Sequence, residues 1–284
     1  MKYLEKLPRS RELKSANRNP KTWFFLFCWL LLPICNPAQA QEVVESQGLR
    51  FRLIPGGTYL LGSPAAEPGR YADEALPHRV TLASFYIAVT ETTNAQYGRF
   101  LKATEHPAPL YWEDKNLNNP SQPVLGVSWH DAVAFTQWLT QVTGVPHRLP
   151  TEAEWEAAAR GGLTGQPFPW GAEAPDAGGV YRANYQTSNP GATGFRLTAP
   201  VESFPANGFG LDDMAGNVAE WCLDRYTPLG TGGPFKPGVL RLLKGGSWLS
   251  RARDLRAAAR QSVPPHYADG FIGFRVVRPL YSSP

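Results

Sequence analysis

Serine and arginine side chains are concentrated in one stretch near the carboxyl end of the chain. Its candidate binding residues are Ser247, Trp248, Ser250, Arg251 and Arg253, to which Arg256 and Arg260 add two more guanidinium groups. Guanidinium groups bind carboxylates through paired hydrogen bonds, so the stretch could form a pocket for an anionic or peptide ligand. A solvated arginine face is the alternative. A serine hydroxyl needs a neighbouring base to become a nucleophile, and the sequence places none beside Ser250.

Residue types that carry metal or redox chemistry are sparse elsewhere. The five histidines share no i,i+4 spacing and no H-E-x-x-H motif, so spacing does not support an iron site of two histidines and a carboxylate. We expect His130, at a helix start, to be a surface or capping residue.

Cys28 and Cys35 fall in the amino-terminal leader, which leaves Cys222 without a disulfide partner. Because it adjoins Trp221, we expect Cys222 to be a small buried side chain.

The first forty residues have the organisation of an export signal. Basic residues at 2–21 precede an apolar run at 23–35, and Ala38-Gln39-Ala40 supplies a cleavage site of small residues. The apolar run is shorter than the roughly 20 residues that a membrane-spanning helix needs. We therefore predict a signal peptide at 1–40, cleaved after Ala40, and a single periplasmic or secreted domain at 41–284. An uncleaved anchor is the alternative.

The leader also determines the apparent charge of the chain. The whole sequence has 28 basic and 24 acidic residues, a net charge of +4. The leader holds seven basic and two acidic residues, so the predicted domain has 21 basic and 22 acidic residues, a net charge of −1. A nearly neutral domain gives no reason to expect binding to nucleic acid or to a membrane surface.

Short strands are predicted at the start of the domain, where apolar and polar residues alternate. Residues 49–54 and 58–61 are interpreted as a strand pair joined at Pro55-Gly56-Gly57, and 79–89 as one further strand. Beyond residue 160 the pattern breaks into short strands and long loops. Because 27 glycines, 27 prolines and nine tryptophans are spread along the chain, we expect a compact, turn-rich domain held by aromatic packing.

Three helices are predicted between these strands and the serine–arginine stretch. Thr93 and Thr151 each begin a helix, and each has a capping-box partner three residues later, Gln96 and Glu154. A further helix is predicted over about 131–142, where apolar residues fall on one face. Helices and strands together indicate a mixed domain.

An ordered set of motifs gives the chain a resemblance to a known family. In chain order the motifs are Ile54-Pro55-Gly56-Gly57, Val89-Thr90-Glu91-Thr92-Thr93-Asn94, Val127-Ser128-Trp129, Arg148-Leu149-Pro150-Thr151-Glu152-Ala153-Glu154-Trp155-Glu156, Pro169-Trp170-Gly171, Asn207-Gly208-Phe209-Gly210-Leu211, Gly216-Asn217-Val218-Ala219-Glu220-Trp221, Gly245-Gly246-Ser247-Trp248 and Gly273-Phe274-Arg275. Over residues 50–279 the chain resembles the formylglycine-generating enzymes, also called sulfatase-modifying factors. The resemblance implies an α+β, C-type-lectin-like fold with much irregular structure.

The resemblance also places the two redox cysteines of the family at the positions of Ser250 and Leu255. Thiolates are soft copper ligands and redox nucleophiles, and neither a serine hydroxyl nor a leucine side chain replaces them. Copper is therefore not expected in this protein, and the residues leave its redox cofactor open.

Calcium is the metal that the resemblance implies. The family binds it near the Gly-Asn-x-x-Glu-Trp motif, which by position gives Asp213, the carbonyl groups of Gly216 and Val218, and Glu220. Carboxylate and carbonyl oxygens suit this hard cation. The alternative is that Asp213 and Glu220 only cap turns.

A second calcium site of the family is less well matched. Its ligands fall on Asn184 and on the carbonyl groups of Tyr185 and Phe195. The position of its acidic ligand is Thr193, whose neutral hydroxyl is a poorer calcium ligand.

Three functions follow as hypotheses. The family includes exported members without the cysteine pair, among them a periplasmic pyoverdine-maturation protein, so we first expect oxidative maturation of a secreted peptide siderophore. The second hypothesis is a non-catalytic periplasmic module that binds or assists an envelope enzyme. The third is formylglycine generation on sulfatases, which the replaced cysteines oppose. The expected ligand is a small peptide or siderophore-like molecule, and a periplasmic protein partner goes with the second hypothesis.

Overall fold

The computed structural model describes residues 43–227 and 240–280, so the predicted signal peptide at 1–40 lies outside the described residues. Within those ranges the chain forms three α-helices and ten β-strands, in agreement with the predicted α+β class. None of the helices in the described ranges is both long and apolar enough to cross a membrane.

The first sheet joins the two ends of the described chain. Its antiparallel strands lie in the order β1-β2-β5-β10, where β1 is Val43–Ser46, β2 Leu49–Ile54, β5 Phe85–Ala88 and β10 Val277–Pro279. Phe51 faces one hydrophobic cluster, whereas Ile87 and Val277 belong to another, and all three are fully buried. Both faces of this sheet are therefore covered by core.

Two strand predictions need correction. β3 (Gly57–Leu61) pairs with β4 (His78–Leu82) in a separate two-stranded sheet, so β2 and β3 are consecutive but are not paired with each other. The strand predicted over 79–89 is two strands, because the chain passes from one sheet to the other at Ala83-Ser84. There the Ser84 hydroxyl accepts a hydrogen bond from the Gly56 amide at 2.7 Å. This bond joins the β4–β5 connection to the β2–β3 connection, the two places where the chain passes between these sheets.

All three helices begin with a capping box. They are α1 (Asn94–Thr104), α2 (Trp129–Thr143) and α3 (Glu152–Ala159). The predicted caps Thr93 and Thr151 are confirmed. The second helix begins two residues earlier than predicted, because Ser128 is its N-cap and the Asp131 carboxylate accepts the Ser128 amide hydrogen at 2.8 Å. Asp131 therefore completes the cap instead of starting the helix.

Aromatic rings fill the space between α1, α2 and the sheets. Tyr97 stacks on Phe135 with ring centres 5.7 Å apart, and Phe135 meets Phe274 edge to face at 5.3 Å. Phe274 is fully buried, and so is its neighbour Arg275. Aromatic packing thus holds a guanidinium group inside the core.

The third sheet positions the serine–arginine stretch. Its order is β8-β7-β6-β9, where β6 is Ala219–Arg225, β7 Arg241–Lys244, β8 Gln261–Val263 and β9 Ile272–Gly273. β6 and β9 are parallel and the other pairs are antiparallel. Because β7 and β8 are hydrogen-bonded neighbours, residues 245–260 form one long excursion that leaves this sheet and returns to it.

Candidate functional site

Two glycines begin the excursion between β7 and β8. Gly245 (φ 87°) and Gly246 (φ 68°) both have left-handed backbone conformations, which side chains disfavour. Packing adds a second reason, since a β-carbon on Gly245 would lie 3.1 Å from the Trp155 ring, and one on Gly246 would lie 3.0 Å from the Asp254 carbonyl oxygen. The glycine turn thus fixes where Ser247 and the residues after it enter the structure.

Ser247 and Ser250 lie together at the floor of a pocket. Their hydroxyl oxygens are 3.3 Å apart, and the Ser250 hydroxyl accepts the Ser247 amide hydrogen at 2.9 Å. Both residues are buried. In the part of the chain that the structure describes, no histidine or carboxylate hydrogen-bonds to either hydroxyl. The pair therefore lacks the base that a serine nucleophile requires.

The pocket is open to solvent and has a volume of about 350 Å³. Four of the five predicted pocket residues line it, Ser247, Ser250, Arg251 and Arg253. The fifth, Trp248, is not among its lining residues and instead donates its indole N–H to the Gly270 carbonyl oxygen at 2.9 Å. The remaining lining residues were not found from the sequence and are Gln186, Leu249, Asp254, Gln261 and Phe271.

Contacts between distant segments bring the additional residues to the pocket. The Gln186 amide donates to the Ser250 carbonyl oxygen at 2.9 Å, which fastens another loop to the serine–arginine stretch. Phe271 directly follows Gly270, whose carbonyl group Trp248 holds. No local motif marks these residues, because their place at the pocket depends on pairings that span the fold.

Arg251 and Arg253 are the exposed guanidinium groups of the pocket. The Arg253 guanidinium lies 4.5 Å from the centre of the Tyr71 ring, a cation–π contact. The Tyr71 hydroxyl donates a hydrogen bond to Asp254, and burial together with this bond raises the pKa of Tyr71. The phenol therefore stays protonated at neutral pH, so that Tyr71 supports Arg253 and does not serve as a base.

Arg256 and Arg260 do not line the pocket, contrary to expectation. Arg256 is 1% exposed, and one of its nitrogens lies 2.9 Å from the carboxylates of both Glu67 and Glu74. The Arg260 guanidinium lies 2.7 Å from Glu152. Each guanidinium is already satisfied by carboxylates of the fold, so neither is available to a ligand.

A second group of charges lies in the core, where Glu220 pairs with Arg275. The Arg275 guanidinium contacts both carboxylate oxygens of Glu220, each at 2.7 Å, and the Trp155 indole N–H donates to one of them at 2.7 Å. Neither Glu220 nor Arg275 is exposed. Both oxygens of Glu220 are therefore engaged by the protein itself.

Two further acids lie near this ion pair. Burial raises the pKa of Glu91 well above its usual range and raises that of Asp213 to about 7, and both acids feel the charge of Arg275. One oxygen of Asp213 accepts the Glu202 amide hydrogen at 2.8 Å, whereas the other has no hydrogen-bond partner among the described residues. Three buried carboxyl groups thus lie in the field of one guanidinium, which pairs with Glu220, and one oxygen of Asp213 is left without a hydrogen bond.

Proteins of one family resemble this chain over most of its length. Residues 38–280 match the family of sulfatase-modifying factor enzyme 1-like domains. The chain belongs to this family. It is 35% identical to the formylglycine-generating enzyme of Streptomyces coelicolor in an alignment that covers 78% of this chain and 87% of the relative. It is 29% identical to the inactive Cα-formylglycine-generating enzyme 2 of Mus musculus, covering 78% of this chain and 83% of the relative.

Solved structures of the family have the same fold. PvdO from Pseudomonas aeruginosa superposes with a TM-score of 0.72 and is 30% identical, covering 84% of this chain and 98% of PvdO. The predicted C-type-lectin-like α+β fold of the sulfatase-modifying factors is thereby confirmed.

The two family cysteine positions lie in different surroundings in this member. Ser250 faces the pocket, whereas Leu255 is fully buried in an apolar cluster with Ala183, Tyr185 and Ala215. An aliphatic side chain in such a cluster offers no metal ligand and no redox group. The side chains at these two positions therefore do not suit copper.

The implied calcium residues fit the ion in charge but only partly in geometry. Asp213 supplies a buried oxygen without a hydrogen bond, and a cation there would stabilise the ionised form of a carboxyl group whose pKa burial raises to about 7. Glu220 is less suitable, because its oxygens contact Arg275 and Trp155. Among the described residues no three His, Cys, Asp or Glu side chains converge as a metal cluster, so an ion here would depend on main-chain carbonyl groups such as those of Gly216 and Val218.

The second family calcium position is occupied by a hydrogen bond. The Thr193 hydroxyl lies 2.9 Å from the Asn184 side-chain oxygen and 3.2 Å from the Phe195 carbonyl oxygen. Two of the three expected ligands are therefore already joined through a hydroxyl group. The Tyr185 side chain belongs to the apolar cluster around Leu255, and burial raises its pKa to about 12.

The remaining reactive side chains lie away from the pocket. Cys222 is fully buried, as predicted, and burial raises the pKa of its thiol well above the usual range. Such a thiol is inert. His130 stands at the start of α2, as predicted, and its ring meets the Trp129 ring edge on at 5.4 Å.

Proposed function

We propose that this protein matures a secreted peptide siderophore with a pyoverdine-type chromophore by oxidation in the periplasm. The observation that carries the proposal is the pocket, in which the Ser250 hydroxyl stands where the family has a thiol and exposed arginines lie beside it. The similarity to PvdO and the resemblance to exported members without the cysteine pair support it.

The pocket suits a peptide that carries both carboxylate and aromatic groups. Arg251 and Arg253 are exposed, and Arg253 has only a long, 3.9 Å contact with the Asp254 carboxylate, so both can bind a carboxylate of a ligand. Leu249 and Phe271 supply apolar surface for a ring, and the hydroxyls of Ser247 and Ser250 can hydrogen-bond its polar atoms. This combination selects acidic aromatic peptides over neutral or basic ones.

The residues of the pocket act by binding and orienting the substrate. Oxidation removes two hydrogen atoms, and serine and arginine side chains do not change redox state. A separate oxidant, molecular oxygen that is reduced to hydrogen peroxide in this proposal, therefore takes the two electrons and the two protons, and the pocket orients the ring for this step. Calcium held by Asp213 has a structural role in this proposal. Glu220 lies near Asp213 and accepts a hydrogen bond from Trp155. Trp155 in turn packs against Gly245, where the excursion to the pocket begins.

Export is part of the same proposal. The predicted leader at 1–40 directs the chain to the periplasm, where a peptide released from the cytoplasm is matured before secretion. Fractionation of cells and sequencing of the mature amino terminus test it, with Gln41 as the expected first residue. A cytoplasmic chain that begins at Met1 would contradict it.

A non-catalytic accessory role is the second candidate. The serine pair has no neighbouring base among the described residues, and one relative of comparable coverage is named an inactive enzyme. In this role the pocket holds a peptide segment of an envelope enzyme. Formylglycine generation is disfavoured, because Leu255 and Ser250 provide no thiolate.

Mass spectrometry of secreted metabolites distinguishes the two candidates. Wild-type and deletion strains are compared under iron starvation. We expect the deletion strain to accumulate a peptide heavier by two hydrogen atoms, and purified mature protein with periplasmic extract to convert it. Identical profiles would exclude siderophore maturation, and capture of one envelope protein by the mature chain would then favour the accessory role.

A further inference from the structure

Two tyrosines next to the pocket are held by one aspartate. The Tyr267 hydroxyl donates to one carboxylate oxygen of Asp269 at 2.7 Å, and the Tyr111 hydroxyl donates to the other at 3.2 Å. The Gly270 amide donates to Asp269 as well, at 2.7 Å. The Tyr267 hydroxyl, foremost among these donors, lowers the pKa of Asp269, so the carboxylate is charged at neutral pH. We call Tyr111 and Tyr267 the tyrosine pair.

Both rings are exposed although both hydroxyls are fixed. Tyr111 is 43% exposed and Tyr267 is 37% exposed, and both rank among the large hydrophobic side chains that the described part of the chain leaves exposed. Tyr111 also has φ 66°, a left-handed conformation that is uncommon outside glycine and is often retained at functional sites. The rings are therefore held in place by their polar edges, while parts of their apolar surface remain open to solvent.

The tyrosine pair and the pocket share one stretch of chain. A β-carbon on Gly270 would lie 3.3 Å from the Tyr111 ring, so this ring lies directly against Gly270. The Gly270 carbonyl group is held by Trp248, and the next residue, Phe271, lines the pocket. Leu249, 46% exposed, follows Trp248 on the pocket side. The tyrosine pair is thus joined to the pocket wall through Gly270 and its neighbour Phe271.

The hydrogen bonds of Asp269 disfavour the simplest alternative, a cation site. Its two oxygens already accept three hydrogen bonds from Tyr111, Tyr267 and the Gly270 amide. What this surface offers a ligand is aromatic face, and fixed tyrosine rings provide such contact with little loss of side-chain freedom. The exposed guanidinium groups that accompany it are those of Arg251 and Arg253.

We propose that the tyrosine pair is a second subsite of the pocket, which stacks an aromatic side chain of a peptide whose neighbouring carboxylate is bound by Arg251 or Arg253. This assignment deepens the proposed function and rests on it for the location of the substrate. It does not require that the protein oxidise the peptide, because the subsite is defined by binding alone.

Calorimetric titration of the mature protein with three dipeptides tests the subsite. The probes all have an amidated carboxyl terminus and are N-acetyl-Tyr-Glu, N-acetyl-Ala-Glu, which lacks the ring, and N-acetyl-Tyr-Gln, which lacks the carboxylate. Wild type should bind N-acetyl-Tyr-Glu several-fold more tightly than either of the others. Tyr267→Ala should weaken binding of N-acetyl-Tyr-Glu several-fold and leave N-acetyl-Ala-Glu unaffected.

Matched variants keep the test independent of folding and of turnover. Leu163→Ala removes a 39%-exposed apolar side chain that is neither in the pocket nor in the tyrosine pair, and it should bind all probes as wild type does. If Tyr267→Ala fails to fold, Tyr267→Phe is used in its place. It keeps the ring and should retain most of the affinity for N-acetyl-Tyr-Glu. Equal affinity of wild type for N-acetyl-Tyr-Glu and N-acetyl-Ala-Glu would overturn the subsite, as would the absence of binding at millimolar concentrations. If the protein oxidises the siderophore precursor but does not prefer N-acetyl-Tyr-Glu to N-acetyl-Ala-Glu, the proposed function stands and only the subsite is overturned.

Discussion

The guanidinium of Arg275 and the carboxylate of Glu220 form a two-point ion pair that has no access to solvent. Arg275 also donates to the carbonyl oxygens of Ala88 and Val89, so one side chain links the first sheet to the third. Glu91 and Asp213 lie in its field and carry raised pKa values because they are buried. The ion pair is thus the charge centre of the fold.

Arg275→Met should strongly destabilise the protein. Removing one partner of a buried ion pair leaves the other charge uncompensated and typically costs about 3–5 kcal/mol. Urea unfolding measures the loss, and Arg50→Met is the control, because the Arg50–Glu202 pair is about half exposed and should contribute less than about 1 kcal/mol. Equal losses in the two variants would contradict a structural role for the buried pair.

Arg253→Ala and Arg256→Ala should separate binding from stability within one short stretch. Arg253 is 53% exposed, so its loss should change stability by no more than about 0.5 kcal/mol and weaken binding of N-acetyl-Tyr-Glu. Arg256 is 1% exposed and paired with Glu67 and Glu74, so its loss should cost about 3–5 kcal/mol. Melting curves and titrations of both variants decide it. The assignment fails if Arg253→Ala unfolds the protein or Arg256→Ala is as stable as wild type.

Calcium should raise the melting temperature of the mature protein, and Asp213→Ala should abolish the rise. An ion at a hundred times its Kd stabilises the folded state by about 2.7 kcal/mol, which shifts melting by several degrees in a domain of this size. Asp212→Asn is the control, because it alters the neighbouring acid and keeps the Asp213 oxygens. If the melting temperature of wild type is the same in calcium and in chelator, Asp213 holds no structural calcium ion.

His147 should make stability fall as the pH is lowered. Its ring is 7% exposed, packs against Phe51 at 5.6 Å and has one nitrogen without a hydrogen bond among the described residues. Burial lowers its pKa, and the positive charge of Arg278 acts in the same direction. The unfolded chain therefore takes up the proton first. Stability is retained above pH 6.5 and lost as the pH falls through that value, at no more than about 1.4 kcal/mol per pH unit.

Urea midpoints between pH 8 and pH 5 measure this effect. His147→Phe keeps a ring against Phe51 and removes the proton site, so its midpoint should depend less on pH than that of wild type. His266 is exposed, and His266→Ala should follow wild type. An unchanged pH dependence in His147→Phe would assign the effect to other groups.

Local signals in the sequence were sufficient for the helices. A capping box is complete within four residues, so Thr93 and Thr151 could be read without knowledge of the fold. The pairing of strands could not be predicted in this way, because alternating apolar and polar residues identify a strand but not the strand beside it. For that reason β2 and β3 were paired in the prediction, whereas the structure pairs β2 with β5 and β3 with β4.

The same distinction applies to the candidate site. The positions of Ser247 and Ser250 followed from one contiguous motif, and the structure places both at the pocket. Arg253 and Arg256 look alike in sequence, and only Glu67 and Glu74, about 180 residues earlier, make one of them structural. Gln186 reaches the pocket because its amide bonds to the Ser250 carbonyl group. Phe271 reaches it because Trp248 holds the preceding residue, Gly270. No spacing in the sequence indicates either contact.

The Thr193 hydroxyl bridges Asn184 and Phe195 at the position where the sequence resemblance implies a second calcium ion. A loop closed in this way cannot be opened by removing metal from the solution. A strong chelator competes for any bound ion, whereas it does not affect a hydrogen-bonded closure. If the substrate is the siderophore proposed above, Thr193 removes one point at which a chelating product could destabilise the protein that matures it.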